Sequence, residues 1–266
     1  MEIVPCQVPG EGRSIDAHLA LPEGGRGPAV IVIHEIFGPD AHIQDVAKRF
    51  AREGYVALAP NLFTGEIQKL LTPQAVAAGF GFLRSLPPEI QRDPAKIQAK
   101  IAERPPEEQK ALMGLMRIQD PRQHQAFARD LASVARYLRN QDYVEGGKVG
   151  SVGFCFGGGI SALLACTDPD LNAAVIFYGN TPPKELIPKV RCPVLGLYGG
   201  EDHRITDTVP EFAEDAKKAG VQLTYHIYPG AQHAFFNDSR PQVYNAAAAA
   251  DAWGRVLAFY RQGFSP

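Results

Sequence analysis

The sequence predicts an α/β fold with a doubly wound, mostly parallel sheet and helices on both faces. Short apolar runs rich in β-branched residues alternate with amphipathic stretches along most of the chain, which is the order of elements in parallel sheets connected by helices. The inner runs are apolar at consecutive positions, as expected for strands that are buried on both faces. The composition, 45% hydrophobic and 21% charged over 266 residues, is ordinary for a globular protein.

The first elements follow from apolar spacing and from the glycines and prolines that end them. EIVPCQV and SIDAHLA flank Gly10-Glu11-Gly12 and predict an antiparallel hairpin at the edge of the sheet. The run Val30-Ile31-Val32-Ile33 predicts a buried strand. Residues 42–53 repeat apolar groups at helical spacing and stop at Gly54, and residues 55–59 predict the next strand.

The segment from Asn61 to about Asp120 interrupts this alternation. It has no strand pattern, its composition shifts to Gln, Glu, Lys and Pro, and helices are predicted in PQAVAAGFGFLRSL and PEEQKALMGLMRI. Insertions of this length in a compact domain are usually functional or flexible. We therefore predict one domain, residues 1–266, in which residues 61–120 form a helical cap-like insertion. A peripheral decoration of the domain is equally compatible with the pattern.

The alternation resumes after the insertion and continues through the rest of the chain. Helices are predicted in QAFARDLASVARYLRN, from Gly157, in PEFAEDAKKAG and from Tyr244. Strands are predicted in KVGSVGF, AAVIFYG, PVLGLYG and QLTYHIYPG. These elements complete the doubly wound sheet.

The bulk properties exclude several classes of function. With a formal net charge of −2, nothing in the electrostatics favours nucleic acid or an anionic membrane as a partner. The longest apolar runs are too short to span a bilayer, and the N-terminus lacks the basic and apolar regions of a secretion signal. Four cysteines without CxxC spacing predict reduced thiols and a cytoplasmic location. The sequence leaves open whether the protein is a homo-oligomer.

The stretch GFCFGG, Gly153 to Gly158, contains the first candidate for a reactive group. It places Cys155 between a predicted strand and the start of a helix, which is the position of the nucleophile in the strand–turn–helix motif G-x-S-x-G. This sharp turn needs small residues two positions before and after the nucleophile, here Gly153 and Gly157. The helix N-terminus would favour a thiolate and a developing oxyanion. A buried cysteine packed under a glycine turn is the structural alternative, but no G-x-S-x-G occurs in the chain to compete for the role.

Two later turns supply candidates for an acid and a base, which follow the nucleophile in that order in folds with this motif. PVLGLYGGEDHRI runs from a strand into a turn with Asp202, and QLTYHIYPGAQHAFFND runs from a strand into a loop with His233. Both lie past the carboxyl ends of strands, where open α/β sheets place their sites. Glu201 remains an alternative acid, and His203 and His226 are weaker candidates for the base.

The loop VIHEIFGPD follows the first inner strand and lies beside the nucleophile turn in such folds. Its backbone N–H near Ile36 would join that of Phe156 in an oxyanion hole. His34-Glu35 does not begin the zinc motif H-E-x-x-H, because position 38 is Gly38. GFCFGG also lacks the G-x-G-x-x-G spacing of dinucleotide sites. We therefore expect neither a metal nor another cofactor.

Taken together, HEIFG, GFCFGG, the Gly-Gly-Glu-Asp turn and YPGAQHAFFND resemble, in this order, the dienelactone hydrolase family of carboxymethylenebutenolidase-like α/β-hydrolases. The resemblance covers essentially the whole chain except residues 61–120, and the cysteine turn with HEIFG is highly specific. It implies the α/β-hydrolase fold, with Cys155 as nucleophile, Asp202 as orienting acid and His233 as base. It also implies that Glu35 contacts the resting thiol and helps to generate the thiolate once substrate binds.

The residues that would bind a substrate carboxylate depart from the family pattern. Well-studied dienelactone hydrolases use arginines for this purpose, one of them four residues after the catalytic histidine. This sequence has Asn237 at that position and Arg240 three residues further on. The second arginine would fall in the insertion, which contains Arg84, Arg104, Arg117 and Arg122. Of these, Arg84 and Arg117 are taken as candidates. The departure bears on the identity of the substrate and not on the hydrolase chemistry.

We expect a carboxylic ester hydrolase that cleaves lactones, enol esters or activated esters of small molecules through an acyl-enzyme on Cys155. A thiolate attacks a carbonyl well but is also a good leaving group, so the substrate's own leaving oxygen must depart as a stabilised anion. Two alternatives stay open. The same site could act on other electrophiles such as phosphotriesters, or the chain could be a non-catalytic binding protein that keeps the fold.

Overall fold

An eight-stranded sheet forms the centre of the computed structural model, which describes residues 1–265 apart from the side chain of Pro73. Pro266, the last residue of the predicted domain, lies outside the described residues. The strands are β1 (Ile3–Pro9), β2 (Ser14–Ala20), β3 (Gly27–Ile33), β4 (Val56–Pro60), β5 (Val144–Phe154), β6 (Ala173–Phe177), β7 (Val194–Gly199) and β8 (Leu223–Tyr228).

The strands lie in the order β1-β2-β4-β3-β5-β6-β7-β8. The two pairs that involve β2 are antiparallel, with Ile3 opposite Ala20 in the first. All pairs from β4 to β8 are parallel. The predicted α/β class and the N-terminal hairpin are therefore confirmed.

Helices connect these strands. They are α1 (Ala41–Arg52), α2 (Glu66–Leu70), α3 (Pro73–Ser85), α4 (Pro88–Gln91), α5 (Pro94–Ala102), α6 (Pro106–Gln119), α7 (Pro121–Arg139), α8 (Phe156–Thr167), α9 (His203–Thr206), α10 (Val209–Lys218) and α11 (Ala246–Gly263), and a 3-10 helix spans Lys184–Lys189.

The inner strands are apolar at consecutive positions because neighbouring residues enter two different cores. Ile31 of β3 packs in a cluster with Phe127 of α7, whereas Val32 packs in a second cluster with Phe50 of α1. Full burial of an aliphatic or aromatic side chain contributes about 1.5–3 kcal/mol. Helices are therefore required on both faces of the sheet to cover such a run.

The insertion consists of helices only, since residues 61–120 contain α2 to α6 and no strand. The two predicted helices are confirmed as α3 and α6. The sequence prediction missed the shorter helices α2, α4 and α5, although the start of α5 carries a recognisable signal. The Asp93 side chain accepts a hydrogen bond from the Ala95 N–H at 3.0 Å, and Pro94 occupies the first helical position. This is a common combination at helix N-termini.

The parallel strands bring four loops to one edge of the sheet. The carboxyl ends of β3, β5, β7 and β8 lie along this edge, since these strands run in the same direction. The loops that follow them carry the candidate residues of the sequence analysis. In open α/β sheets this edge is where ligands bind.

Candidate active site

Cys155 lies at a strained turn between β5 and α8. Its backbone has φ 56° and ψ −114°, and positive φ is uncommon for a residue with a side chain. The Cys155 N–H donates a hydrogen bond to the Phe177 carbonyl of the neighbouring strand at 3.0 Å. The side chain is half-buried at the N-terminal end of α8. This turn therefore holds the thiol at the carboxyl edge of the sheet, next to the positive end of a helix dipole.

The two glycines that flank this turn leave no room for a side chain. A Cβ atom on Gly153 would lie 1.9 Å from the Gly157 carbonyl oxygen, and one on Gly157 would lie 2.4 Å from the carbonyl oxygen of Ile33. In both cases the atom that the added Cβ meets is a backbone oxygen, so no side-chain rotation relieves the overlap. The predicted need for small residues at these two positions is confirmed.

His233 and Asp202 form a hydrogen-bonded pair beside the thiol. The His233 Nδ1 and Asp202 Oδ2 atoms are 2.5 Å apart. Asp202 precedes α9 in the turn after β7, and only 8% of its surface is exposed. His233 lies in the loop after β8, followed by Ala234 with φ 64°. Two separate strand-end loops thus meet at this pair.

The pKa of His233 depends on both Asp202 and Cys155. Burial by itself would lower the pKa of His233, but hydrogen bonds with Asp202 and with the Cys155 thiol outweigh it and raise the pKa to about 10. The structure therefore brings together the three residues that the sequence analysis assigned as nucleophile, acid and base. With Nδ1 facing Asp202, Nε2 is the atom available to the thiol.

The weaker sequence candidates lie elsewhere. Glu201 is exposed, and its N–H donates to the Ala231 carbonyl at 2.9 Å. His203 is exposed beside Asp207, and the ring of His226 packs against a tyrosine of its own strand with ring centroids 4.4 Å apart. The position next to the histidine ring is therefore occupied by Asp202 and not by Glu201.

The loop after β3 contacts the start of α8. The Glu35 carbonyl accepts a hydrogen bond from the Gly38 N–H at 3.3 Å, which closes a turn. The Ile36 N–H donates to no backbone carbonyl within residues 1–265. The Phe156 N–H, as the first of α8, has no acceptor inside its helix. Two unpaired donors on adjoining segments are suited to bind an oxyanion.

The Glu35 side chain is buried next to this loop, with 2% of the residue exposed. The Tyr178 hydroxyl donates a hydrogen bond to Glu35 Oε1 at 3.3 Å. Burial raises the pKa of Glu35, and a hydrogen bond with Asn237 and the charges of three basic side chains oppose this, namely His42, Arg240 and His233. Within residues 1–265, no hydrogen bond joins Glu35 to Cys155. The carboxylate therefore accepts a hydrogen bond from the Tyr178 hydroxyl and none from the thiol.

Tyr178 is a site residue that the sequence analysis missed. It is fully buried directly after β6, with φ 38°, and its ring meets that of His233 edge-on at 5.2 Å between centroids. Burial is the largest cause that raises the pKa of Tyr178, followed by the charges of Glu35 and Cys155. Its position in the sequence, a polar residue at the carboxyl end of a predicted parallel strand, was an available signal.

The candidate carboxylate-binding residues have different surroundings. Arg84 donates to a carbonyl of its own helix, and Arg117 donates to Gln123 at 3.4 Å. Asn237 is 2% exposed, and its Oδ1 accepts from both the N–H and the hydroxyl of Ser239. Arg240 is partly buried, and its charge acts on both Glu35 and Tyr178. Of these residues, Arg240 is the cation that the structure brings closest to the site.

Aromatic side chains from the start of the insertion and from α7 pack around Phe156, the residue after the nucleophile. The Phe156 ring lies 5.6 Å from the ring of Phe63 and 5.8 Å from that of Phe127. It also lies 5.5 Å from the ring of His124, whose Nε2 hydrogen-bonds to the Ile118 carbonyl. The start of the insertion, at Phe63, and helix α7, which follows the insertion, therefore both reach the start of α8.

The described part of the chain contains neither a cluster of metal-binding side chains nor a membrane-spanning helix. Within residues 1–265, no group of three or more His, Cys, Asp or Glu side chains could hold a metal ion. None of the helices described there is long and apolar enough to cross a membrane.

Comparisons with known proteins show the family to which the chain is similar. The model of a family described as the dienelactone hydrolase family matches residues 15–264. A "Putative carboxymethylenebutenolidase" of Saccharolobus solfataricus is 39% identical over 253 residues, 95% of this chain and 95% of the relative. A protein of the same name from Escherichia coli strain K12 is 32% identical over 269 residues, 96% of this chain and 85% of the relative.

Solved structures share the fold. One titled as a "Putative Dienelactone Hydrolase" from Klebsiella pneumoniae matches with a TM-score of 0.72 and 28% identity, covering 98% of this chain and all of that chain. A dienelactone hydrolase-like promiscuous phosphotriesterase from metagenomic libraries also matches with a TM-score of 0.72, at 22% identity over both full chains. The latter likeness bears on the fold alone. The predicted α/β-hydrolase fold is thereby confirmed.

Proposed function

The chain belongs to the dienelactone hydrolase family, and on that premise we propose that it is a carboxylic ester hydrolase acting on lactones, enol esters or activated esters. One observation carries the proposal. Cys155 starts a helix at positive φ, the neighbouring Cys155 helps to raise the pKa of His233, and Asp202 hydrogen-bonds with His233. The relatives that bear the name carboxymethylenebutenolidase support the same reaction class.

In the proposed first half-reaction, the proton of the Cys155 thiol is held by His233, whose raised pKa favours the charged ring, and the sulfur attacks the substrate carbonyl carbon. The new S–C bond forms as the carbonyl π bond becomes an oxyanion, which the N–H groups of Ile36 and Phe156 stabilise. The bond to the leaving oxygen then breaks, and that oxygen takes the proton from His233. The product of this step is an acyl-enzyme, a thioester on Cys155.

Hydrolysis of the acyl-enzyme uses the same histidine. A water molecule gives a proton to His233 while its oxygen attacks the thioester carbon. The C–S bond breaks, the carboxylic acid leaves, and the proton on His233 returns to the sulfur. Throughout, Asp202 accepts the Nδ1–H of His233, which orients the ring and stabilises its charged form.

The nucleophile restricts the substrate class. A thiolate is a better leaving group than an ordinary alkoxide, so the tetrahedral intermediate of a simple alkyl ester tends to return to substrate. Lactones with enol oxygens, enol esters and activated esters release an oxygen that is stable as an anion, and their intermediates proceed to the acyl-enzyme. The aromatic cover on Phe156 favours small substrates.

Glu35 and Arg240 are proposed as accessory groups. For Glu35 to contact the thiol, as the family resemblance implies, its carboxylate must move relative to Cys155 from the position in which Oε1 accepts from the Tyr178 hydroxyl. For substrates that carry a carboxylate, we propose Arg240 as the binding cation in place of the arginine missing at Asn237. An Arg240→Gln variant should then raise KM about tenfold for carboxylate-bearing esters, the loss of one charged hydrogen bond, and leave KM for neutral esters unchanged.

The direct test of the function is the Cys155→Ala variant with an aryl or enol ester substrate. We expect kcat/KM to fall by at least about 10⁴-fold, as for other enzymes that lose their nucleophile. The control is Cys6→Ala, which removes another partly buried thiol. Mass spectrometry of the wild type with a slow ester should find the acyl group on the peptide that contains Cys155. Turnover that survives in Cys155→Ala would contradict the proposal.

Two further experiments distinguish the proposed ester hydrolase from its two alternatives. A substrate panel that includes phosphotriesters decides whether the thiolate transfers acyl or phosphoryl groups, since the second would leave a phosphoryl group on Cys155. Titration with a thiol reagent tests the non-catalytic alternative. A Cys155 that stays unreactive even with a bound substrate analogue would favour a binding protein that keeps the fold.

A further inference from the structure

The His34 ring is buried between the loop after β3 and the first residues of the insertion. It has no exposed surface. Its Nδ1 lies 2.5 Å from the carbonyl oxygen of Glu35, and its Nε2 lies 3.2 Å from the backbone nitrogen of Leu62. Both ring nitrogens therefore have backbone partners.

These partners determine the proton position on the ring. Because the Leu62 N–H can only donate, the His34 Nε2 must accept and carries no proton. The proton of the neutral ring is then on Nδ1, which donates to the Glu35 carbonyl. Burial lowers the pKa of His34 to about 4, so the ring keeps this neutral form at neutral pH.

The Glu35 carbonyl belongs to the same peptide unit as the Ile36 N–H. In a planar trans peptide the carbonyl and the N–H point in opposite directions, so a hydrogen bond that holds the carbonyl also directs the N–H. We propose that His34 is a positioning residue for the oxyanion hole, which aims the Ile36 N–H at the reacting carbonyl oxygen. The inference rests on the proposed function, since it assigns a role in that reaction.

The packing of the ring supports this role from a second direction. His34 stacks on Phe156 with 6.0 Å between ring centroids and 23° between planes, and it meets Phe63 edge-on at 4.7 Å. The carbonyl of His34 would lie 2.5 Å from a Cβ atom on Gly157. One residue thus contacts both segments that supply the proposed donors, Ile36 and Phe156, and sets their relative position.

A pair of substitutions separates the two hydrogen bonds of the ring. In His34→Asn the amide nitrogen lies near the place of Nδ1 and can still donate to the Glu35 carbonyl, but the contact with Leu62 is lost. In His34→Gln the amide group reaches the place of Nε2, so the contact with Leu62 is kept, while the Glu35 carbonyl loses the short bond from the ring and keeps only the 3.3 Å bond from the Gly38 N–H. We expect kcat to fall about 10–100-fold in His34→Gln, less than the 10²–10³-fold loss on deletion of an oxyanion donor. His34→Asn should retain most of the activity.

Two readouts distinguish positioning from a structural role. KM should stay near the wild-type value in both variants, because the loss appears only when the oxyanion forms. An aldehyde analogue binds by adding the Cys155 sulfur to its carbonyl carbon, with the thiol proton passing to His233 and an oxyanion left in the hole. Its affinity should fall in His34→Gln in parallel with kcat. Alkylation of Cys155 by iodoacetamide forms no oxyanion, so its rate and pH profile should be unchanged.

The inference is overturned if His34→Gln keeps wild-type kcat, or if Asn and Gln lose activity equally while both remain folded by circular dichroism. If neither variant folds, the ¹⁵N spectrum of His34 in the wild type decides. A proton on Nδ1 is the expected result, and a proton on Nε2 would refute the hydrogen bond to Glu35. Failure of the proposed function itself is recognised separately, by turnover in Cys155→Ala.

Discussion

The strand-end loops around Cys155 and the helical insertion of residues 61–120 show opposite degrees of steric constraint. At Gly153 an added Cβ would meet a backbone oxygen at 1.9 Å, whereas around Gly81 in α3 nothing lies within 4 Å of it. The charged side chains of the two regions also differ in their exposure. Asp202 is buried against His233, while Lys100 and Glu103 pair in the insertion with 42% and 62% of their side chains exposed. Residue identity is therefore dictated by contacts in the first region and largely free in the second.

The difference in steric constraint is tested most directly by replacing Gly153 and Gly81, each in its own variant, with alanine. Gly153→Ala should destabilise the fold by more than about 4 kcal/mol, since only a backbone shift relieves the overlap. Gly81→Ala should stabilise it by about 0.5–1 kcal/mol, because alanine is the better helix former. Urea unfolding of both variants measures this difference. Equal effects of the two substitutions would show that the strand-end turn is not sterically constrained.

The acid turn allows a matched test of a buried and an exposed carboxylate in adjacent positions. Asp202→Asn should lower kcat about 10⁴-fold, because an amide cannot orient the ring or stabilise the charge of His233. Glu201→Gln, the exposed neighbour, should leave kcat unchanged. Steady-state kinetics on the same ester compares the two. A large loss in Glu201→Gln instead would assign the orienting acid to Glu201.

The pH dependence of stability tests the pairing of His233. Its pKa rises from the ordinary 6.5 to about 10, against the effect of burial and through its bonds with Asp202 and Cys155. A pKa raised by folding adds stability that is fully present below the unfolded pKa and is lost as the pH rises through the folded pKa. The difference in Tm between wild type and His233→Gln should therefore be largest near pH 6 and shrink by pH 10. A difference that stays constant across this range would contradict the pairing.

The smallest effect is expected in the insertion. Lys100→Ala removes an exposed ion pair between the last turn of α5 and Glu103, the residue that follows this helix. Such pairs contribute about 0.5 kcal/mol. The midpoint of urea unfolding should move correspondingly little, and kcat should not change. A loss of more than about 1 kcal/mol would indicate that the surface charges of the insertion are as constrained as those of the strand ends.

The strand-end region was also more predictable from the sequence than the insertion. The hairpin, the inner strands and the two glycines around Cys155 were predictable because local spacing and steric limits dictate them. In the insertion α3 and α6 were predicted but α2, α4 and α5 were not, since these shorter helices have few apolar residues and α5 offers only its Asp93-Pro94 start as a signal. Its role as a cap remains a prediction.

The candidate site was predictable in its order but not in its hydrogen bonds. Cys155, Asp202 and His233 follow strands in sequence, and parallel strands bring their carboxyl ends to one edge. The residue that donates a hydrogen bond to Glu35 could not be predicted from the order of the strands. Tyr178 lies 143 residues away, and only the pairing of β6 beside β5 brings it next to the thiol and its histidine.

The sequence by itself therefore determined the class of fold, the positions that require glycine and the residues proposed for the reaction, because each depends on short-range spacing or on chain order. Only the tertiary structure decided that Asp202 faces His233 in place of Glu201. It also decided that Tyr178 holds Glu35, that Arg240 approaches the site, and which nitrogen of His34 carries the proton. The physical reason is that these are contacts between side chains and backbone groups from different strand-end loops, and their partners exist only once the sheet has assembled.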